Sequence, residues 1–203
     1  MMAITPEDIA AATKCWGTQD FARPFFSPLA TYGNLLMRWN ARISLTSIRD
    51  EAEVVGRHLM EGVFAASKHP EAETALDFGS GTGVPGILIA ICRPEVSVTL
   101  AESQHKKAAF LAEVIRELRL DAKVHAGRAE TLPPAGFDAV WMRAVDRSTS
   151  MLPLAAGLVG SVGSLCLLET AEAASATLLR GWGCQTHRFP ASSARVLHIY
   201  RKP

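Results

Sequence analysis

The sequence predicts an α/β fold built on a mainly parallel sheet with helices on both faces. Three observations predict it. From residue 74 onward short apolar runs alternate with amphipathic stretches. The first of those runs ends in a turn with a glycine at every second position, Gly79-Ser80-Gly81-Thr82-Gly83. The last two runs are separated by about six residues, too few for a parallel crossover, so they pair antiparallel.

The elements follow in order. Residues 1–70 read as helical. Tyr32 to Asn40 places Leu35, Leu36 and Trp39 at helical spacing, and Glu51 to Lys68 repeats the habit with Val54, Val55, Leu59 and Phe64. Ile43 to Ile48 is an irregular connector, and Asp50 caps the next helix with Glu53 in capping-box position. Ala75 to Phe78 is a strand, followed by the glycine turn and a helix beginning near Pro85, a residue suited to a first helical turn. A strand (Ser97–Ala101) leads into a helix (Gln104–Arg119) whose buried stripe is Phe110, Leu111, Val114, Ile115 and Leu118. Further strands are expected at Ala122–His125, Phe137–Met142 and Ser164–Leu168, a helix at Glu172–Arg180, and closing strands at Gln185–Phe189 and Arg195–Tyr200. No internal repeat or linker interrupts the chain. Residues 1–70 are therefore expected to form a helical extension packed on a domain of residues 71–203.

Composition narrows the class. The chain has 203 residues, 48% hydrophobic and 20% charged, with 11 Pro and 15 Gly, which excludes fibrous and disordered classes. No apolar run reaches the ~18 residues of a membrane span. The amino terminus carries Glu7 and Asp8 and lacks the pattern of a signal peptide. Cys15, Cys92, Cys166 and Cys184 form no Cys-x-x-Cys pair and read as small buried hydrophobes of a reducing cytosol. The dispersed histidines suggest no metal. Residues 173–203 hold Arg180, Arg188, Arg195, Arg201 and Lys202 and no acid. With Lys106 and Lys107, that set is expected to supply part of an RNA-binding face; Arg57 is a further candidate.

The chemistry centres on Asp77-Phe78-Gly79-Ser80-Gly81-Thr82-Gly83-Val84-Pro85-Gly86. A strand feeding such a turn binds its ligand at the carboxyl end of the sheet, against bare main chain. Gly81-x-Gly83-x-x-Gly86 also has the dinucleotide spacing, so NAD is one reading. Two acids favour S-adenosylmethionine instead. Asp77, at the strand's end, would face a pyrophosphate unfavourably but could reach the ammonium of a methionine moiety, directly or through water. Glu102, beside Ser103 at the end of the next strand, is placed in register to accept from ribose hydroxyls, a contact that both cofactors share. Candidate cofactor contacts are thus Asp77, Gly79, Ser80, Gly81, Gly83, Glu102 and Ser103.

Trp39-Asn40-x-x-Ile43-x-Leu45-Thr46, Arg57-His58, the Asp77-to-Gly86 turn, Lys106-Lys107-x-x-Phe110-Leu111, Arg128-x-Glu130 and Arg143-Ala144 occur in that order. Together they resemble the glucose-inhibited division protein B family, the bacterial small-subunit (16S) ribosomal RNA guanine-N7 methyltransferases, from about residue 30 onward. The resemblance implies a Rossmann-like class I S-adenosylmethionine-dependent methyltransferase fold. Its sheet would be seven-stranded and mainly parallel with an antiparallel last strand, plus a helical N-terminal extension. It further implies cofactor contacts at Gly79, Val84, Ala129, Glu130 and Arg143, with Arg143 as the catalytic candidate. The implied substrate is small-subunit ribosomal RNA within an assembled subunit, and the implied protein is a cytoplasmic monomer. Alternatives are a methyltransferase for another RNA or a small molecule, an NAD-binding oxidoreductase, or a non-catalytic cofactor-binding module.

Guanine N7 carries a lone pair and no proton, so methylation there needs no general base. The chain shows neither a Pro-Cys nucleophile nor an Asn/Asp-Pro-Pro-aromatic loop; Leu132-Pro133-Pro134-Ala135 lacks both the polar lead and the aromatic. The sequence departs from the family at Ser44 (usually Asn), Glu61-Gly62 (usually Asp-Ser) and Glu169-Thr170 (usually Lys-Gly). An acid at 169, near the active face, is expected either to repel a phosphate backbone or to stabilise the positive charge that N7 methylation leaves on the base. His58 reads as a packed helix histidine.

Overall fold

The computed structural model describes residues 3–143, 149–170, 179–190 and 194–203. The helical part opens with α1 (Pro6–Cys15), where Thr5 and Asp8 form a reciprocal capping box, and α2 (Gln19–Ala22). The long helix α3 (Phe26–Ile43) buries Leu29, Tyr32, Leu36 and Asn40 along one stripe and ends at Ser44, whose φ of 50° lies in the left-handed region. After an irregular stretch, α4 (Glu51–Glu53), a π-helical segment (Val54–Leu59) and α5 (Met60–Ser67) run on without a break. Asp50 caps this run by accepting the Glu53 N–H at 2.8 Å. The reciprocal half of the expected box is not made, because the Glu53 carboxylate turns to Arg57 at 3.3 Å.

The sheet then forms. Its members are β1 (Thr74–Phe78), β2 (Ser97–Ala101), β3 (Ala122–His125), β4 (Phe137–Arg143), β5 (Val159–Thr170), β6 (Gly183–Arg188) and β7 (Arg195–Arg201), in the order β3-β2-β1-β4-β5-β7-β6. Strands β1 to β5 pair parallel, and β7 lies antiparallel between β5 and β6. The connecting helices are α6 (Gly86–Cys92), α7 (His105–Leu118) and α8 (Leu152–Leu158). Central strands covered on both sides read as unbroken apolar runs. Accordingly β4 is fully buried from Ala139 to Met142.

One apolar core joins the amino-terminal helices to one side of the sheet. Trp16 meets Phe64 and Phe189 edge-on at 6.1 and 5.8 Å, and Trp39 approaches Phe110 of α7 at 5.7 Å. A second core, with Val140, Met142, Leu165, Leu167 and Tyr200, fills the opposite side beneath α8.

Several expectations need correcting. β5 begins five residues before the expected Ser164, and α8, a short apolar helix with little amphipathic signal, was not anticipated. Pro85 occupies the cap position and Gly86 opens the helix. The expected helix at Glu172–Arg180 falls almost wholly outside the described residues, as does Ala144. Cys92 and Cys166 are buried, but Cys15 and Cys184 are exposed.

Candidate active site

The carboxyl ends of β1, β2 and β4 converge on the glycine turn, and two cavities open on either side of Gly79. One, of about 270 Å³, is lined by Phe78, Gly79, Glu102, Ser103 and residues 127–130, with Met151. The other, of about 320 Å³, is lined by Thr46, Arg57, His58, residues 79–82, Val84, Arg143 and Arg195.

The turn is shaped for contact with a ligand. Gly79 and Gly81 have φ of +72° and +57°, where a side chain is strained. Among the described residues no atom beyond its chain neighbours stands within 4 Å of a would-be Cβ on Gly79, so its main chain borders open space. The turn is anchored from two directions. Buried Tyr32 of α3 donates its hydroxyl to the Thr82 carbonyl at 2.6 Å, and burial pushes that phenol far above its ordinary pKa. Glu102 accepts the Gly81 N–H at 2.9 Å with one oxygen and the Gln104 N–H at 2.7 Å with the other. Each carboxylate oxygen keeps a second lone pair. On a cavity wall, such a pair can accept from the two hydroxyls of a ribose.

Asp77 and Gly83 stand behind the turn. Asp77 is 2% exposed, lines neither cavity and accepts the Gly86 N–H at 3.2 Å. Burial raises its carboxyl to about 7, against the lowering effect of the Gly86 and Ser80 hydrogen bonds and Arg143. A Cβ on Gly83 would meet Ile87 at 2.5 Å and Leu111 at 3.0 Å, so that glycine serves the packing of turn against helix.

A connected polar chain crosses the larger cavity's wall. Arg143, at the end of β4, pairs with Glu61 of α5 at 2.7 Å and donates to His58 Nδ1 at 2.9 Å. The second Glu61 oxygen meets Arg195, at the start of β7, at 3.4 Å. Guanidinium nitrogens only donate, so His58 Nδ1 accepts and its proton sits on Nε2, 3.1 Å from Thr46 Oγ1. Burial, then the Arg143 charge, holds His58 neutral by lowering its pKa to about 3. Thr46 belongs to the connector after α3, which Asn40 clasps by donating to the Ile48 carbonyl at 2.7 Å and accepting the Thr46 N–H at 2.8 Å. His58 lies in the π-helical segment, a rare geometry often found at functional sites.

The expected cofactor contacts are thus divided. Gly79 lines both cavities; Ser80, Gly81, Val84 and Arg143 line the larger; Glu102, Ser103, Ala129 and Glu130 line the smaller. Arg128 and Glu130 also form an ion pair at 2.7 Å. Sequence reasoning missed Thr46, Glu61 and Tyr32 as parts of the site and took His58 for packing. Thr46 and His58 stood inside the quoted motifs, and nothing in the sequence marked their partnership.

The basic set does not form one face. Arg195 pairs in register with Thr170 at the carboxyl end of β5, beside the cavity, whereas Arg201 pairs with Ser164, toward the other end. Lys106 and Lys107 open α7, on the cavity's side of the sheet. Glu169 is also misplaced by the sequence reading. Alternation along β5 sends it to the sheet face opposite Arg143, where it is 1% exposed and bonds His198 Nδ1 at 2.7 Å. It therefore offers no charge to a phosphate backbone. Gly62 has a packing role, since a Cβ there would lie 2.5 Å from Leu88 Cγ.

The family described as rRNA small subunit methyltransferase G matches residues 26–201. Over 169 residues the chain is 38% identical to the ribosomal RNA small subunit methyltransferase G of Xanthomonas euvesicatoria pv. vesicatoria (strain 85-10), covering 82% of this chain and 79% of that one. The protein of the same name from Xylella fastidiosa (strain M23) is 37% identical over 171 residues, 83% of this chain and 80% of that one. Among solved structures, a SAM dependent methyltransferase from Aquifex aeolicus superposes with a TM-score of 0.59 at 14% identity, covering 78% of this chain and 96% of that one. A methyltransferase from Geobacter sulfurreducens gives 0.59 at 15% identity, covering 87% and 89%. These two likenesses concern the fold.

Proposed function

The chain belongs to the rRNA small subunit methyltransferase G family, and from that premise we propose that it transfers a methyl group from S-adenosylmethionine to guanine N7 in small-subunit ribosomal RNA. The observation that carries the N7 reading is the state of His58. Among the described residues it is the only histidine lining either cavity, and both its ring nitrogens are engaged, one by Arg143 and one by Thr46. No acid among the described residues lines the larger cavity, and Glu61 behind its wall is shared by two arginines. An acceptor that had to lose a proton would find no base there. Guanine N7 has no proton to lose.

The residues present fit the cofactor. In this reading Glu102 holds the ribose, Ser103, Ala129 and Glu130 frame the adenine, and Gly79, Ser80, Gly81 and Val84 form the floor. Arg143, with N–H groups left beyond its two bonds, holds a carboxylate or a phosphate. Bound S-adenosylmethionine supplies a sulfonium methyl to an in-line nucleophile. The chain's own task is alignment, which can lower such a barrier by roughly 7–11 kcal/mol. Residues 1–70 act as an extension of the 71–203 domain, a reading supported by their shared core. The substrate is the assembled small subunit, and the protein works in the cytoplasm as a monomer. Among the described residues no helix is long and apolar enough to cross a membrane, and no group of His, Cys, Asp or Glu is placed to hold a metal ion.

The test is deletion of the gene followed by reductive cleavage of ribosomal RNA at 7-methylguanosine. One cut in the small-subunit RNA should vanish, and return with this protein but not with Arg143→Ala. An unchanged pattern removes the assignment. Calorimetry should show binding of S-adenosylmethionine and none of NAD; the reverse would identify an oxidoreductase.

A further inference from the structure

We propose that Thr46 determines base specificity, its hydroxyl donating to O6 of the target guanine. The inference rests on the guanine-N7 reading above and adds a residue that reads the base.

A threonine hydroxyl has one proton and two lone pairs. Both lone pairs of Thr46 Oγ1 are engaged, by His58 Nε2 at 3.1 Å and by the Ile48 N–H at 3.3 Å. The direction of the first bond is fixed by Arg143. Its guanidinium must donate to Nδ1, which leaves the His58 proton on Nε2 and makes Thr46 the acceptor. The hydroxyl proton is then left over, and among the described residues no acceptor takes it. Thr46 is partly exposed and lines the same cavity as Gly79 and Arg143.

The network thus converts an ambivalent group into an obligate donor. Guanine presents two acceptors side by side, O6 and N7, whereas adenine presents an amino donor beside N7. An obligate donor next to the reacting nitrogen accepts guanine and opposes adenine, because donor would face donor. N7 itself must stay free for attack, so O6 is the atom left to read. Arg143 spends one N–H on His58 and one on Glu61, and in the reading above its remaining N–H groups hold a carboxylate or a phosphate, which leaves O6 to Thr46. The Asn40 clasp fixes the connector's backbone and therefore the hydroxyl's position.

The test uses small subunits from the deletion strain and particles reassembled with 6-thioguanosine at the methylated position, where sulfur accepts hydrogen bonds weakly. Thr46→Val should lower kcat/KM about tenfold, the worth of one hydrogen bond. Thr46→Ser should restore it, and S-adenosylmethionine affinity should not change. Thr46→Val also removes the acceptor of His58 and Ile48, so the decisive reading is the coupling. The sulfur substitution should slow the wild type about tenfold and Thr46→Val no further. An equal penalty in both proteins overturns the proposal, as does a loss of cofactor affinity matching the loss in rate. If Thr46→Val does not fold, wild-type enzyme that methylates the thio particle as fast as the guanosine particle overturns it alone. Wild-type enzyme that methylates neither particle removes the guanine-N7 reading and this inference with it.

Discussion

Replacing Asp77 by Asn should change how the stability of the protein responds to pH. In the folded chain this carboxyl lies fully buried behind the glycine turn, and its pKa is raised from 3.8 to about 7. The folded state therefore holds the proton more tightly than the unfolded state. The group's contribution is fully present below about pH 4 and is lost as pH rises toward 7. With those two values, linkage gives a cost of roughly 2 kcal/mol at pH 5 and roughly 4 kcal/mol at pH 8. Asparagine keeps an oxygen for the Gly86 N–H and has nothing to ionise. Urea unfolding of both proteins at half-unit steps should thus show Asp77→Asn gaining about 2–3 kcal/mol on the wild type between pH 5 and pH 8. Working with the difference cancels the other titrating groups. A gap between the two proteins that stays constant across this range would show that Asp77 keeps an ordinary pKa in the fold and would refute the reasoning.

Three further outcomes are expected. Glu61→Ala removes a carboxylate that is 5% exposed and shared by Arg143 and Arg195, and should cost about 3–5 kcal/mol in urea unfolding; a loss below about 1 kcal/mol would mean the pairs behave like surface ones. Ser44→Asn places a residue that tolerates left-handed backbone at φ 50° and should raise stability by about 0.5–1 kcal/mol, read as a shift in urea midpoint at unchanged slope. Neutralising Lys106 and Lys107 should flatten the salt dependence of RNA binding by roughly 0.7–0.9 for each phosphate no longer neutralised, while neutralising Arg201 and Lys202, toward the far end of the sheet, should leave it unaltered in a filter-binding titration.

Much of the fold was legible because its signals are local. The run ending at Phe78, the alternating glycines and the stripe of α7 each declare themselves within a few residues. Glu102 was legible because topology puts successive strand ends side by side. The polar chain was not, because its partners are far apart in sequence: His58 and Arg143 are 85 residues apart, Glu61 and Arg143 82. Periodicity says which face a helix buries, and not which buried carboxylate will meet which strand end. Glu169 was misread for a different reason. Its distance from the site along the strand was right, and its face was wrong. Parity decides that, and parity needs the register of β5 against β4, where Leu168 and not Glu169 stands beside Arg143.

The place of β7 between β5 and β6 sets an order of events during synthesis. Strands β1 to β5 can assemble as they emerge, each against a neighbour already made. β6 cannot, since among the described residues its one partner in the sheet, β7, follows it in the chain. Until β7 arrives, β5 presents an open edge, the kind of surface on which nascent chains mispair. The same strand carries Arg195 to Glu61 as its first residue. Closing the edge and completing the wall of the larger cavity are therefore one event. A chain halted before residue 195 has the glycine turn and Glu102 but lacks the arginine that completes the cavity's wall.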